Sequence, residues 1–372
     1  MRIEKHLSPA ISAGTQREVT SLHFGRALGA KKVYVQSSLH ADEIPGMLVS
    51  HYLRQHLLAL EEAGAIEGEI VLVPVANPIG LAQDIQGSAF GRFDLATGIN
   101  FNRGYQYLTP RLIETLRGRL GAYADANRAL VRQEARNLLA QWQPNNEAGA
   151  LKKTLQTLAI DADIVLDLHC DNQAVMHLYT GTPLAEMTMP LARYLGARAL
   201  LTSVLSGDDP FDESCSRHWW ELAQHFGSEM PIDLGCQAVT IELRGESDVA
   251  HAYGAQDAQA IIQFLMQAGH IDGAAPSLPD ALCQPTPLEG SEPIVASHAG
   301  VLVFAKNTGD LVTAGESIGD LVDPISGQVT PLISSVAGVL YARVARRYAH
   351  YGMQVAKVAG AIAYRSGNLL SA

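Results

Sequence analysis

Apolar and polar positions alternate along the first three quarters of the chain in two rhythms. Short, mostly apolar runs mark buried strands: Lys32–Ser38 (KVYVQSS), Glu69–Val75 (EIVLVPV), Asp163–Leu168 (DIVLDL) and Ala238–Leu243 (AVTIEL). Runs of this kind fit the centre of a sheet covered on both sides. Between them lie stretches of helical spacing, such as Pro45–Leu60, which opens with a proline suited to a first helical turn. Strands separated by helices predict βαβ units, hence an α/β fold with a mixed, mostly parallel sheet and helices on both faces. From Pro110 to Ile160 no strand signal occurs. Arg111–Leu120 and Arg128–Trp142 carry helical spacing, and Pro144-Asn145-Asn146 breaks it, which predicts an inserted helical pair serving as surface elaboration, oligomer contact or lid.

After about residue 272 the texture changes. A Pro-rich connection leads into short strands punctuated by glycine turns, and Ala299-Gly300-Val301-Leu302 recurs as Ala337-Gly338-Val339-Leu340. Two half-repeats predict a small all-β barrel or sandwich. The expected division is a catalytic domain over 1–285 and a C-terminal β domain over 286–372. The β part resembles biotinyl/lipoyl-type domains, but Ala345-Arg346-Arg347-Tyr348-Ala349-His350 holds no hairpin lysine to modify, so a structural or pocket-shaping role is expected.

Composition narrows the field of functions. Twenty-seven Lys+Arg against 38 Asp+Glu leave a formal net charge of −11, which disfavours contact with nucleic acid or an anionic membrane. A hydrophobic share of 47% with 17% charged residues belongs to a well-buried globular chain. Cys170, Cys215, Cys236 and Cys283 are too dispersed for a disulfide scaffold or a thiolate zinc site. With no signal-peptide pattern and no run of about 18 apolar residues, the expected location is the cytoplasm.

The chemistry gathers at strand ends. His40-Ala41-Asp42-Glu43 follows the strand KVYVQSS, at the edge where open α/β sheets bind their ligands. A histidine and a carboxylate three apart reach one ion when the chain turns there. With 13 histidines in the chain, such a pair also arises by chance, and His218-Trp219-Trp220-Glu221 is a second match that reads as a helix face. His169 ends DIVLDL as His40 ends KVYVQSS and completes a three-ligand set with one position open for water. Glu242, a carboxylate inside an apolar strand, is costly unless functional or paired, for instance with Arg244. As a general base it would take a proton from the attacking water. Asn102 and Arg103 offer a directional amide and a carboxylate fork, and Arg92 a second guanidinium for an oxyanion. Tyr179, Asp208, Asp209 and Arg244 are further candidates for the pocket.

This set resembles the zinc carboxypeptidase-like (M14-type) superfamily and, within it, the succinylglutamate desuccinylase/aspartoacylase family, whose members append a β domain to the catalytic one. The resemblance implies one Zn²⁺ per chain held by His40, Glu43 and His169, with Glu242 as base and proton shuttle. It implies that Asn102 and Arg103 orient a substrate carboxylate, that Arg92 polarises the scissile carbonyl, and that the chain forms a homodimer or higher homo-oligomer. Ala41 stands where the family usually has glycine, and ten positions separate Arg92 from Asn102, a longer gap than usual. The expected activity is zinc-dependent hydrolysis of a small N-acyl amino acid. The alternatives are a metallocarboxypeptidase acting on small or cell-wall-derived peptides and a non-catalytic binding protein with a decayed site.

Overall fold

The protein, described by a computed structural model over residues 1–26, 31–367 and 369, is built on a nine-stranded mixed sheet. An edge hairpin comes first, β1 (Arg2–Leu7) and β2 (Glu18–Gly25), followed by β3 (Lys32–Ser37), helix α1 (Pro45–Glu62) and β4 (Glu69–Val73). A single turn of helix, α2 (Pro78–Leu81), and a small hairpin of β5 (Asp84–Ile85) and β6 (Ser88–Ala89) lead to helices α3 (Thr109–Leu116), α4 (Ala124–Gln141) and α5 (Glu147–Ala159). Then come β7 (Ile164–Asp171), the short β8 (Gln173–Ala174), β9 (His177–Gly181), α6 (Ala185–Leu195), β10 (Ala199–Ser203), α7 (Phe211–Phe226), β11 (Gln237–Gly245), α8 (His251–Gln267) and β12 (Pro285–Pro287).

The sheet runs β1-β2-β4-β3-β7-β11-β9-β10-β12. Its middle, β4-β3-β7-β11, is parallel, as are β9-β10 and β10-β12, whereas β1-β2, β2-β4 and β11-β9 are antiparallel. One face packs on α3, α4, α5 and α7 around Leu112, Leu139, Leu155 and Trp219. The other packs on α1, α6 and α8 around Leu53, Leu195 and Ile261. Burial on both faces explains why β3 and β7 open with consecutive apolar residues, Val33–Val35 and Ile164–Leu166.

The segment 110–160 departs from the expected pair of helices by containing three. Asn146, read as part of a break, is the N-cap of α5, its side chain accepting from Gly149 N at 2.7 Å. Nor is the segment a surface appendage. Leu112, Val131, Leu151 and Leu155 are fully buried, so the three helices are a core layer of the sheet.

Beyond Pro287 the chain forms two antiparallel sheets. One orders β13 (Ser291–Val295), β20 (Gln354–Gly360), β18 (Gly338–Arg343) and β15 (Leu311–Val312); the other orders β17 (Val329–Ile333), β16 (Ser317–Val322), β14 (Gly300–Phe304) and β19 (Tyr348–Ala349). Both contribute to one core, through Leu302 and Leu321 on one side and Leu340 and Val358 on the other. The repeated Ala-Gly-Val-Leu segments begin β14 and β18, one in each sheet. This β unit is tied to the large sheet: β8 pairs with β18, Val175 N donates to Tyr341 O at 3.0 Å, and Arg198 reaches Gly309 O. Among the described residues no helix is long and apolar enough to cross a membrane.

Candidate metal centre and active site

Three parallel strands, β3, β7 and β11, end side by side, and the chemistry of the molecule collects at their C-terminal ends. β3 stops where Ser38 turns left-handed (φ 64°), and the next residues form the tight turn that carries His40 and Glu43. Asn77 clamps this turn by donating to Leu39 O at 2.8 Å. Gly46 lets α1 start directly behind it, since a Cβ there would lie 2.9 Å from Ser37 Cβ. Gly91 does the same for the facing loop: a Cβ would sit 2.1 Å from Asp42 N, so only glycine lets Gly91 O accept from Ala41 N at 3.1 Å. Arg92 is thereby delivered beside the His40 turn.

His40, Glu43 and His169 are all buried, and their ligand atoms lie within 4.8 Å of one another. The Glu43 carboxylate stands between the rings, Oε1 at 2.9 Å from His40 Nδ1 and Oε2 at 2.8 Å from His169 Nδ1. Cys170 N donates to Oε2 and Arg92 Nη2 to Oε1, both at 3.0 Å. The outer nitrogens face acceptors. His40 Nε2 is 2.9 Å from Asn100 Oδ1, an oxygen that also accepts from Asn102 N. His169 Nε2 lies 2.9 Å from Asp167 Oδ2, without the alignment of a hydrogen bond. The Asn100 acceptor at His40 Nε2 favours the Nε2–H tautomer of that ring and leaves its Nδ1 lone pair facing the centre, where His169 presents its own Nδ1 once deprotonated. Two such nitrogens and a carboxylate are a donor set that fits a metal ion. Burial raises the Glu43 carboxyl, but the two histidines outweigh it and hold it well below the usual carboxylate range. His169 is displaced well upward against its burial by Asp167 and Glu43.

Glu242 lies opposite His169 in the β11–β7 register. Burial, and then the charge of Glu43, raise its carboxyl to about 8, and Glu242 Oε2 has no hydrogen-bond partner. It does not pair with Arg244. A bulge follows Glu242, Arg244 itself is left-handed (φ 66°), and its guanidinium turns to Asp257 on α8 and stacks on Tyr253. The expectation that Arg244 binds substrate is therefore corrected: strand alternation put it beside Glu242, and the bulge removes it.

A cavity of ≈ 160 Å³ opens above these groups. His40, His169 and Glu242 line it, together with Arg92, Asn102 and Arg103. The turn carrying Asn102 and Arg103 is braced from the helical layer, Lys152 Nζ on α5 donating to Arg103 O at 2.6 Å and Asn100 O at 3.1 Å. Asn102 Oδ1 accepts from Phe211 N, fixing the turn to the start of α7. Asp208 and Asp209 serve the same turn through their backbone, accepting from Gly104 N and Tyr105 N, and do not line the cavity. Tyr179 does line it.

Sequence reading did not assign Asn100, Asp167, Asp212, Glu213 or Lys357 to the site. Asp167 carries a local signal, because alternate residues of a strand share a face and Asp167 precedes His169 by two. Lys357 carries none. It comes from β20, ion-pairs with Asp171 Oδ2 at 2.7 Å and forms part of the cavity wall with Leu288. The His218 decoy lies on α7, as expected of a helix face. A further group, Glu4, His6 and His23, brings donor atoms together on the β1–β2 edge, where both rings already hydrogen-bond Ser21 at 2.8 Å.

Residues 29–268 match the profile of the succinylglutamate desuccinylase/aspartoacylase catalytic domain. The chain belongs to that family. Its fold is similar to that of a family protein from Shewanella amazonensis, with a TM-score of 0.81 and 26% identity over 96% of this chain and 98% of that one. A second, from Shewanella frigidimarina, has a TM-score of 0.81 and 24% identity, covering 96% and 97%. The product-bound ectoine utilization protein EutE (DoeB) of Ruegeria pomeroyi shares the fold at a TM-score of 0.65 and 15% identity, covering 96% and 94%. No curated protein is significantly similar to the chain. Family membership implies deacylase chemistry, that is, hydrolysis of an amide.

Proposed function

We propose that the protein is a zinc-dependent amidohydrolase that cleaves small N-acyl amino acids, with His40, Glu43 and His169 holding one zinc ion. The observation that carries this reading is the convergence of two histidine Nδ1 atoms and one buried carboxylate, beside the unpartnered Oε2 of Glu242 and at the floor of a cavity. Bound zinc lowers the pKa of a water molecule and polarises an acyl oxygen. The remaining work falls to the chain's own side chains. Arg103 receives the substrate carboxylate and fixes the scissile amide over the floor of the cavity. Arg92, already held beside Glu43, presents a guanidinium to the oxygen that gains charge. Glu242 accepts a proton from the attacking water and returns it to the departing nitrogen. Burial, and then the charge of Glu43, raise its carboxyl above the usual carboxylate range, toward the neutrality at which it must take and give a proton. The acyl C–N bond breaks, the acyl carbon gains the hydroxyl of water, and the amine leaves with the proton.

A cavity of ≈ 160 Å³ walled by Leu288 and Lys357 favours small substrates over peptides. The test is a panel of N-acyl amino acids run beside dipeptides. Release of free amino acid from the acylated set supports the proposal, whereas exclusive cleavage of dipeptides assigns the site to a carboxypeptidase.

A further inference from the structure

The outer edge of the large sheet carries a second set of metal-type donors, on strands that the reaction outlined above does not use. β1 is the terminal strand and pairs with β2 in antiparallel register. Alternation puts Glu4 and His6 on one face of β1, and the register sets Ser21 opposite Glu4 and His23 opposite Arg2, so all these side chains share that face. The donor atoms of Glu4, His6 and His23 lie within 4.8 Å of one another. Edge strands carry charges that discourage pairing with other chains, and Lys5 with Glu18 serves that purpose on the opposite face, at 2.8 Å. It does not account for two imidazoles drawn onto one serine.

The Ser21 hydroxyl is fully buried and lies 2.8 Å from Nε2 of both His6 and His23. Its single proton serves one ring nitrogen, not two, so the ring lone pairs are incompletely used. Glu4 Oε2 stands 3.5 Å from His23 Nε2, while Glu4 Oε1 is held by Arg2 Nη1 at 3.0 Å. One carboxylate oxygen thus stays with the guanidinium and the other faces the imidazole. On the far side of the His23 ring, Nδ1 lies 2.9 Å from Glu69 Oε1 and 3.1 Å from Arg2 Nη2. An ion at Nε2 selects the tautomer whose Nδ1–H donates to Glu69, the carboxylate–histidine arrangement that supports metal ligands, and Arg2 keeps its two carboxylates. Two imidazoles and one carboxylate suit a zinc-type ion and suit magnesium or calcium poorly. His6 and Glu4 are half-buried, so the ion has a route in from solvent.

We propose that Glu4, His6 and His23 form a second divalent metal site, of zinc type, that fastens the terminal strand β1 to β2. The hairpin lies before residue 29, outside the stretch that carries the family profile, and its role is structural. A half-exposed edge binds more weakly than the buried His40 centre and fills after it, so hydrolysis levels off before zinc uptake does.

The experiment titrates Zn²⁺ by calorimetry into metal-free protein without a polyhistidine tag. Glu43→Ala, which removes the carboxylate of the buried centre, should still take up one equivalent. His6→Gln in that background should weaken this uptake by at least about 100-fold, and Glu69→Gln by about 10–100-fold. Hydrogen exchange locates the ion: zinc should slow the amides of Arg2–Leu7 and Glu18–Gly25 in Glu43→Ala and leave them unchanged once His6→Gln is added. The wild type provides the same test without Glu43→Ala, as a second equivalent that His6→Gln removes while hydrolysis and melting temperature of the metal-free protein stay as they were. Zinc uptake that His6→Gln does not alter, protection that falls outside the hairpin, or magnesium bound there as tightly as zinc overturns the proposal. So does a wild type that takes up no zinc beyond the His40 centre.

Discussion

The molecule contains the same spacing twice, His40 to Glu43 and His218 to Glu221, and the two copies have opposite fates. His40 and Glu43 lie on a turn at the end of a buried strand, where their side chains converge with His169 from the next strand. His218 lies mid-helix on α7, fully enclosed, and neither ring nitrogen has a partner. Glu221 points elsewhere, accepting from Tyr107, Thr109 and Arg217. What separates them is position rather than residue type. A strand end at a parallel sheet leaves backbone and side chains free to converge on a ligand, while a helix packed on that sheet offers one face to the core and another to its neighbours.

The largest expected effect comes from removing a ligand at the first copy. His169→Ala should lose bound zinc and lower hydrolysis by on the order of 10³-fold, while Glu221→Gln leaves metal content unchanged; metal analysis with a steady-state assay reads both. Next, Glu242→Gln should keep its zinc and still lose about 10²–10⁴ in kcat. Retained turnover would remove Glu242 from the proton path. Asn100→Ala takes away the acceptor that orients His40 and should weaken zinc binding by about 10–100-fold in a chelator competition. Arg103→Ala should raise KM more than it lowers kcat, and an unchanged KM would refute its role in binding carboxylate.

The smallest effect belongs to the second copy and concerns stability. Burial lowers the pKa of His218 to about 3, so the folded state keeps the ring neutral while the unfolded chain protonates it near 6.5. The stability this group contributes is complete above pH 6.5 and declines as pH falls from there toward 3. His218→Leu should therefore lose less stability between pH 7.5 and pH 5 than the wild type, by about 1–2 kcal/mol in denaturant titrations.

Legibility in the sequence followed burial. β3, β4, β7 and β11 were readable because strands covered on both faces carry consecutive apolar residues, and their ends then pointed to His40, His169 and Glu242. The edge hairpin β1–β2 was not, because a strand such as RIEKHL with one covered face mixes polar residues into a weak pattern. Burial alone was not enough: β9 (HLYTG) and β10 (ALLTS) are fully buried, but polar residues such as His177, Thr180, Thr202 and Ser203 shorten their apolar pattern to two or three positions. Asn146 looked like a break and is a helix cap; the two readings use the same residue chemistry. Arg244 was misplaced because a bulge cancels strand alternation, and nothing local announces one. Lys357 reaches the cavity through the packing of the β unit on the large sheet, a contact that periodicity cannot express.

The central claim is that His40, Glu43 and His169 make a zinc site on which hydrolysis depends. Titrating zinc into metal-free protein while following amine release from an N-acyl amino acid tests it directly. Activity should rise with bound metal and level off at one equivalent, and Glu43→Ala should show neither. Hydrolysis that is complete without zinc, or zinc uptake by the His40 turn with no gain in activity, would contradict it.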